Sequence, residues 1–262
     1  MIKSNKRPLN KLIQATLILA ISTYLLSCNN NYRVKESSSQ MTFITDSLAT
    51  IPEIDKYIAP YTDSLEQEMN KVIGHCEQQL TKGMPESLLT NFTADLMLSS
   101  TNNFCSNNPD FPSADIAIIN YKGLRTAIEK GDIMVKNIFN LMPFENEIIL
   151  VTLNKQQVIE LFDFMASVGG DGLSGASFVI ADKKATNIKV NNKALEEKNY
   201  IIATSDYLAN GGDHFTIFKD GAPNYNTKLK VRDVIIDHIS DLHTKNISIN
   251  SQLDKRISYA TK

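Results

Sequence analysis

The segment Tyr200-Ile201-Ile202-Ala203 has the uninterrupted apolar character of a buried strand, and a few residues later the chain reaches Asn210-Gly211-Gly212-Asp213. Adjacent glycines permit φ > 0 and close approach of the backbone to whatever lies beside it, so a strand here must end and bend sharply. An aromatic ring, Tyr207, precedes the bend and a carboxylate, Asp213, closes it. That arrangement suits a flat ligand with hydrogen-bonding edges, such as a nucleobase, and it also suits an ordinary strand-to-strand turn. Segments upstream favour the ligand.

Ala114-Asp115-Ile116-Ala117-Ile118-Ile119 reads as a second buried strand, running into Asn120-Tyr121-Lys122-Gly123-Leu124-Arg125. An amide and a guanidinium five positions apart at a strand end can present both groups to one anionic or carbonyl-rich ligand. In Asn140-Leu141-Met142-Pro143-Phe144-Glu145-Asn146 the proline stiffens a turn that presents Phe144.

The remaining elements alternate. Ile51 to about Leu80 is expected to be an amphipathic helix that packs through Ile58, Leu65, Met69, Val72 and Ile73, with His75 and Cys76 as ordinary residues on it. Val135 to Leu141 suggests a short helix and Glu147 to Leu153 a strand. Asn154 to Met165 is a helix capped by Asn154, with Val158, Leu161 and Phe162 inward. Gly169-Gly170-Asp171-Gly172 reads as a flexible loop; no helix start with Lys-Ser/Thr follows it, so it is not a phosphate loop. Strands are expected over Ser177 to Ile180, Asn187 to Val190 and Asn199 to Ala203, and a closing amphipathic helix over Lys230 to Leu242. The order predicts an α/β fold in the α+β sense, a mixed sheet flanked by helices.

Taken together, these segments resemble the C-terminal, substrate-binding domain of the 5'-nucleotidase family over roughly residues 84 to 260. Asn120 to Arg125 looks like the family's Asn-Gly-Gly-Gly-Ile-Arg loop and keeps its terminal Asn and Arg. Pro143-Phe144 is similar to the family's Pro-Phe pair, and Tyr207 stands where an aromatic precedes Leu-Ala-Asn-Gly-Gly-Asp-Gly-Phe. Glu86-Ser87-Leu88-Leu89-Thr90-Asn91-Phe92-Thr93-Ala94-Asp95 resembles the family's opening helix. The resemblance implies that Phe144 and Tyr207 sandwich a base, that Asn120 and Arg125 hold ribose or phosphate oxygens, and that Asp213 contacts the nucleoside. It also shows departures: Tyr121 and Lys122 replace two loop glycines, His214 replaces the glycine after Asp213, and Gly83 stands where members often carry an arginine. Base stacking is the contact the matching motifs carry most fully.

Members of that family hydrolyse nucleotides with a separate N-terminal metallophosphoesterase domain, whose two metals require Asp-x-His, Gly-Asp, Gly-Asn-His-Asp/Glu and Gly-His-x-His elements. The four histidines here, His75, His214, His238 and His243, form no such set. Asp241-Leu242-His243 fits Asp-x-His literally but sits in the closing helix without partners, as a solvated face. No catalytic residue, metal ligand or cofactor is therefore expected in this chain; divalent metals are expected only in a partner domain. The chain reads as the nucleotide- or nucleoside-binding half of a hydrolase acting in nucleotide catabolism with a separate metallophosphoesterase subunit. Two alternatives stand beside this: a stand-alone nucleoside-binding lipoprotein, and a non-catalytic domain serving a protein partner.

At the N-terminus, Lys3, Lys6, Arg7 and Lys11 precede an apolar stretch from Leu12 to Leu26, and Leu25-Leu26-Ser27-Cys28 has the form of a lipoprotein box. The apolar run is shorter than the roughly 20 residues a membrane span needs. Residues 1–27 are expected to be a signal peptide, Cys28 the lipidation site, 28–50 a polar tether and 51–262 the folded domain. The expected location is the bacterial cell envelope, with the membrane reached through the lipid. Loss of residues 1–27 removes four basic and no acidic groups, leaving 23 basic against 29 acidic side chains and a charge of −6. That balance disfavours polymeric nucleic acid as a partner. Cys76 and Cys105 remain, free to pair in an oxidising compartment or to stay as buried thiols.

Overall fold

Three strands, each with an apolar run at its centre, form the middle of the main sheet, and those runs explain its layers. In β2 (Ile116–Ile119), β4 (Glu147–Asn154) and β9 (Asn199–Ser205), side chains alternate between two cores rather than between core and water. Ala117, Ile119, Ile148, Leu150 and Ala203 point to one core, and Ile116, Ile118, Ile149, Val151 and Ile202 to the other. A sheet covered on both faces needs continuous apolar strands, and the sequence supplies them.

The computed structural model describes residues 15–18, 34, 36–41, 45, 51–221 and 224–261. The chain divides into two units, Met1–Pro52 and Glu53–Lys262. In the first, residues 15–18 are helical and exposed. Cys28 and the box before it lie outside the described residues.

The second unit is a mixed α/β domain. Its main sheet has five strands in the order β10 (Asn224–Lys230), β4, β9, β2 and β5 (Gly172–Ser174). β2 and β9 are parallel, and every other neighbouring pair is antiparallel. One face is covered by α2 (Leu88–Asn107) and α6 (Val231–Thr244). The other is covered by α4 (Lys155–Val168) and by a second sheet of β6 (Ala176–Ala181), β7 (Lys184–Val190), β8 (Lys193–Ala194) and β11 (Ile257–Tyr259). A two-stranded ribbon pairs β1 (Val72–Cys76) with β3 (Gly131–Met134), which leads into α3 (Val135–Leu141).

The helix starts follow local chemistry. Ser87 accepts from the Thr90 amide, while the Thr90 hydroxyl accepts in return from the Ser87 amide. Asn154 and Gln157 form the same reciprocal box ahead of α4, which ends at Gly169 in the left-handed region, φ 96°. The expected inward face of α4, with Val158, Leu161 and Phe162, is fully buried.

The expected long helix from Ile51 to Leu80 is corrected. α1 spans Pro52–Met69, and Val72, Ile73, His75 and Cys76 lie on β1 instead. Val72 and Ile73 continue the apolar spacing, but β-branched residues suit a strand, and β3 offers the pairing edge. Gly74 fits this strand alone, because a Cβ there would lie 2.3 Å from Cγ2 of Ile239 on α6. The packing role expected for the helix also fails, since α1 has no buried residue and Ile58 and Leu65 are exposed. Cys76 and Cys105 are both free and buried, and burial pushes both thiols up in pKa.

These environments separate two kinds of apolar truncation. Phe162→Ala should destabilise the domain by about 3–5 kcal/mol, as the loss of a fully buried ring does. Ile58→Ala and Leu65→Ala should each stay within about 0.5 kcal/mol of wild type. Urea unfolding curves of the three variants check both values.

Candidate functional site

Strand direction brings the expected site residues to one edge. Because β2 and β9 run parallel side by side, the segments that follow them, Asn120–Arg125 and Asp206–Asp213, the latter opening with the short helix α5 (Asp206–Ala209), emerge together. β4 is antiparallel to β9, with Ile148 opposite Ser205, so the Pro143–Asn146 loop arrives at the same edge from the other direction. β5 is antiparallel to β2, with Gly172 opposite Ile119, and so the residue before it, Asp171, arrives there too. A crevice outside the carboxyl ends of parallel strands is the usual ligand site of open α/β sheets.

The crevice holds a cavity of about 280 Å³. Ile119, Asn120, Lys122, Met142, Phe144 and Tyr207 are among its lining residues, and the wall is mostly apolar. Phe144 is 42% exposed and Tyr207 46% exposed, so neither ring belongs to a core. Apolar surface with a few convergent polar groups is what small-molecule sites present. Arg125 is not among the lining residues; its guanidinium carbon lies 6.0 Å from the Phe144 ring centroid, at the limit of a cation–π contact. Its backbone amide donates to the Leu141 carbonyl at the end of α3.

Asp213 ties two of the other residues together. Its Oδ2 accepts from Asn120 Nδ2 at 2.7 Å and its Oδ1 from the Tyr207 hydroxyl at 3.0 Å, while its own amide donates to that hydroxyl at 3.2 Å. The Gly-Gly turn achieves this in an unexpected way. Gly211 takes φ 81°, but the next left-handed residues are Asp213 and His214, at φ 48° and 68°. Gly212 is needed for space, since a Cβ there would sit 2.5 Å from the Tyr207 ring. Two non-glycine residues in this region together carry strain that the surrounding contacts must hold.

The loops are braced to each other from behind. Asn146 Nδ2 and the Tyr207 amide both donate to Asp206 Oδ1 at 2.7 Å, joining the Phe144 loop to the Tyr207 turn. Glu145 receives hydrogen bonds from Lys230 and Arg232, and the Lys230 and Arg232 cations hold its carboxyl down to about 2. Arg232 is buried, stacks over Phe139 at 4.2 Å and reaches the Phe144 carbonyl at 3.5 Å.

Sequence reasoning gave no role to Arg232 or Asp171. Arg232 carries no local signal, since it lies within an amphipathic helix pattern. Asp171 lies in the Gly169–Gly172 stretch read as a flexible loop, yet it is buried, 5% exposed, and its Oδ1 accepts from the Tyr121 amide at 2.5 Å and the Gly172 amide at 2.9 Å. Burial pushes its carboxyl up to about 7, against the pull of those two amides, and Asp213 adds to the rise while Lys122 opposes it. Among the described residues, no group of three or more His, Cys, Asp or Glu side chains is placed to hold a metal ion.

A family model for the 5'-nucleotidase C-terminal domain matches residues 72–220. The chain belongs to that family. It is 26% identical to a 5'-nucleotidase of Vibrio parahaemolyticus over 211 residues, covering 78% of this chain and 36% of the relative. It is 22% identical to a 5'-nucleotidase of Vibrio cholerae over 228 residues, covering 84% and 40%. The chain thus spans about two fifths of the length of these curated relatives. The solved structure of a 5'-nucleotidase precursor from Thermus thermophilus superposes with a TM-score of 0.64 at 22% identity, over 79% of this chain and 43% of that one, and shares the fold.

The raised Asp171 carboxyl has a sign that can be measured. An unfolded chain ionises this group near pH 4, whereas the folded protein keeps it protonated to about pH 7. Between those values the folded state binds the extra proton, so this group's contribution to stability falls as pH rises and levels off above about 7. Asp171→Asn should therefore gain melting temperature relative to wild type from about pH 4 to about pH 7. A difference in melting temperature that stays constant over that range would contradict the buried, protonated carboxyl.

Proposed function

We propose that this chain is the nucleotide-recognition half of a 5'-nucleotidase-type phosphoric monoester hydrolase in nucleotide catabolism. The observation that carries the reading is the pair of half-exposed rings, Phe144 and Tyr207, lining one apolar cavity in a domain of this family. A flat base held between them exchanges water for two aromatic faces, at about 1–3 kcal/mol per ring by analogy with stacking platforms. Asn120 and Asp213 offer an amide and a carboxylate for base edges or ribose hydroxyls. Arg125, exposed beside Phe144, and Lys122, at the cavity wall, supply positive charge for ribose or phosphate oxygens.

The hydrolytic water is assigned to a separate metallophosphoesterase chain, which would contribute the divalent metals. Cys28 is the proposed lipid attachment site, holding the protein at the bacterial cell envelope through the polar tether.

Two measurements test the reading. Phe144→Ala and Tyr207→Ala should each weaken adenosine or nucleotide binding by about ten-fold or more, and Phe144→Ala should leave the melting temperature nearly unchanged, since that ring supports no core, while Tyr207→Ala also loses the hydroxyl's two hydrogen bonds with Asp213. Titration calorimetry and thermal melting decide it; large destabilisation, or no nucleoside binding by wild type at about millimolar ligand, would remove the nucleotide site. In the second, the purified chain is given 5'-nucleotides and divalent metal, and phosphate release should not exceed a buffer control. Turnover that survives repurification would show that the chain carries its own hydrolytic centre.

A further inference from the structure

Behind the cavity, the Gly169-Gly170-Asp171-Gly172 turn has a construction that a passive loop does not need. Gly169 and Gly170 take φ of 96° and 110°. A Cβ on Gly170 would lie 2.3 Å from the Pro85 carbonyl oxygen, and one on Gly172 would lie 2.6 Å from the Ile119 carbonyl oxygen. The turn is therefore pressed between the segment before α2 and the end of β2, and Asp171 is the one side chain it delivers inward. Its carboxylate takes the Tyr121 amide, the first N–H of the short 3₁₀ turn Tyr121–Gly123, which has no partner within that turn.

On either side of that contact stand the groups that face the cavity. Asn120 is held from its other side by Asp213, and Gly123 is fixed because a Cβ there would lie 2.8 Å from Asn120 Oδ1. Tyr121 and Lys122 are not glycines, so the backbone here is set by hydrogen bonds rather than by free φ/ψ choice. We propose that Asp171 is a positioning residue for the ligand loop, holding Asn120 and Lys122 at the cavity through the Tyr121 amide, and that its charge sets how well the cavity accepts an anionic ligand. The second half rests on the nucleotide reading of the site; the first does not.

The electrostatic surroundings are simple. The charged groups that bear on Asp171 are Asp213, from the Gly212–His214 turn, and Lys122, from the ligand loop. The neighbours from the α2 side, Pro85 against Gly170 and Thr90 against Gly172, are uncharged. Below about pH 7 the carboxyl is neutral and adds no charge beside Lys122 and Asp213. Above that pH a second negative charge appears beside Asp213, so affinity for a phosphate-bearing ligand falls while that for a neutral nucleoside changes little.

The test uses the full chain, isotopically labelled for amide spectra, in wild-type, Asp171→Asn and Asp171→Ala forms. The Tyr121 amide shift should titrate with a midpoint near 7 in wild type and stay flat in Asp171→Asn. In Asp171→Ala, hydrogen exchange at Tyr121 should speed up by about ten-fold or more while core amides keep their protection. By calorimetry, adenosine 5'-monophosphate should bind wild type several-fold more weakly at about pH 8 than at about pH 6, with Asp171→Asn losing most of that dependence. The phosphate's own ionisation is common to both proteins and cancels in the comparison, and adenosine should show no such difference. A Tyr121 amide that neither titrates nor loses protection would overturn the positioning role. Equal pH profiles for the nucleotide in wild type and Asp171→Asn would overturn the charge effect. Failure of wild type to bind any nucleotide would overturn the charge effect together with the functional reading, and the amide measurements would still decide the positioning role.

Discussion

The parallel pairing of β2 with β9, through Ile116 with Ile202 and Ala117 with Ala203, is the contact on which the site depends. Two parallel neighbours release their C-terminal ends at the same edge. That is how Asn120 and Asp213, 93 residues apart, come within a 2.7 Å hydrogen bond. Antiparallel partners on either side then return their own loops to that edge, β4 with Phe144 and β5 with Asp171. One strand pairing in the opposite sense would scatter these four segments over two edges. The apolar cores on both faces hold the arrangement in register, because a one-residue slip would turn each strand's two side-chain sets to the wrong layers.

The cavity is organised by acids rather than by free backbone. Asp213 spans the amide of Asn120 and the hydroxyl of Tyr207, Asp206 joins the Phe144 loop to the Tyr207 turn, and Asp171 holds the loop between them. Glu145, gripped by Lys230 and the buried Arg232, does the same behind Phe144. The contacts of Asp213, Asp206 and Glu145 are short and directional, so exposed rings can stand at fixed positions without being packed into a core. The left-handed Asp213 and His214 show the cost of that geometry, borne where Asn120 and Tyr207 meet Asp213.

Relatives of this domain share about two fifths of their length with the chain, and the shared part is the part with the crevice. The groups gathered there are an apolar slot lined by Phe144, Tyr207 and Lys122, the Asn120 amide bridged by Asp213, and Arg125 beside Phe144. α1, with Ile54, Ile58 and Leu65 all exposed, adds an apolar face that the domain itself does not cover.

Local chemistry was enough to read much of this from the sequence. Asn154 capping α4, the inward Val158, Leu161 and Phe162, the apolar strands and the closing helix, expected over Lys230 to Leu242 and found at Val231–Thr244, follow from spacing and end signals that act within a few residues. The motifs around Asn120, Phe144 and Tyr207 also marked those positions, and the cavity brings the three together. Where α1 stops was not legible, because Val72 and Ile73 keep the helical spacing and only pairing with β3 and the contact of Gly74 with Ile239 select a strand. Nor was the reason for Gly212, whose absent Cβ makes room for a ring five residues earlier. Asp171 carries no signal in its own stretch, since its partner amide is 50 residues away and its burial depends on β5 lying against β2. The sequence determined those elements whose signals are local, and the kinds of group available, through interactions that span one helical turn or one strand. The tertiary structure alone decided which groups meet, because hydrogen bonds and burial over such separations exist only after strand order has been set.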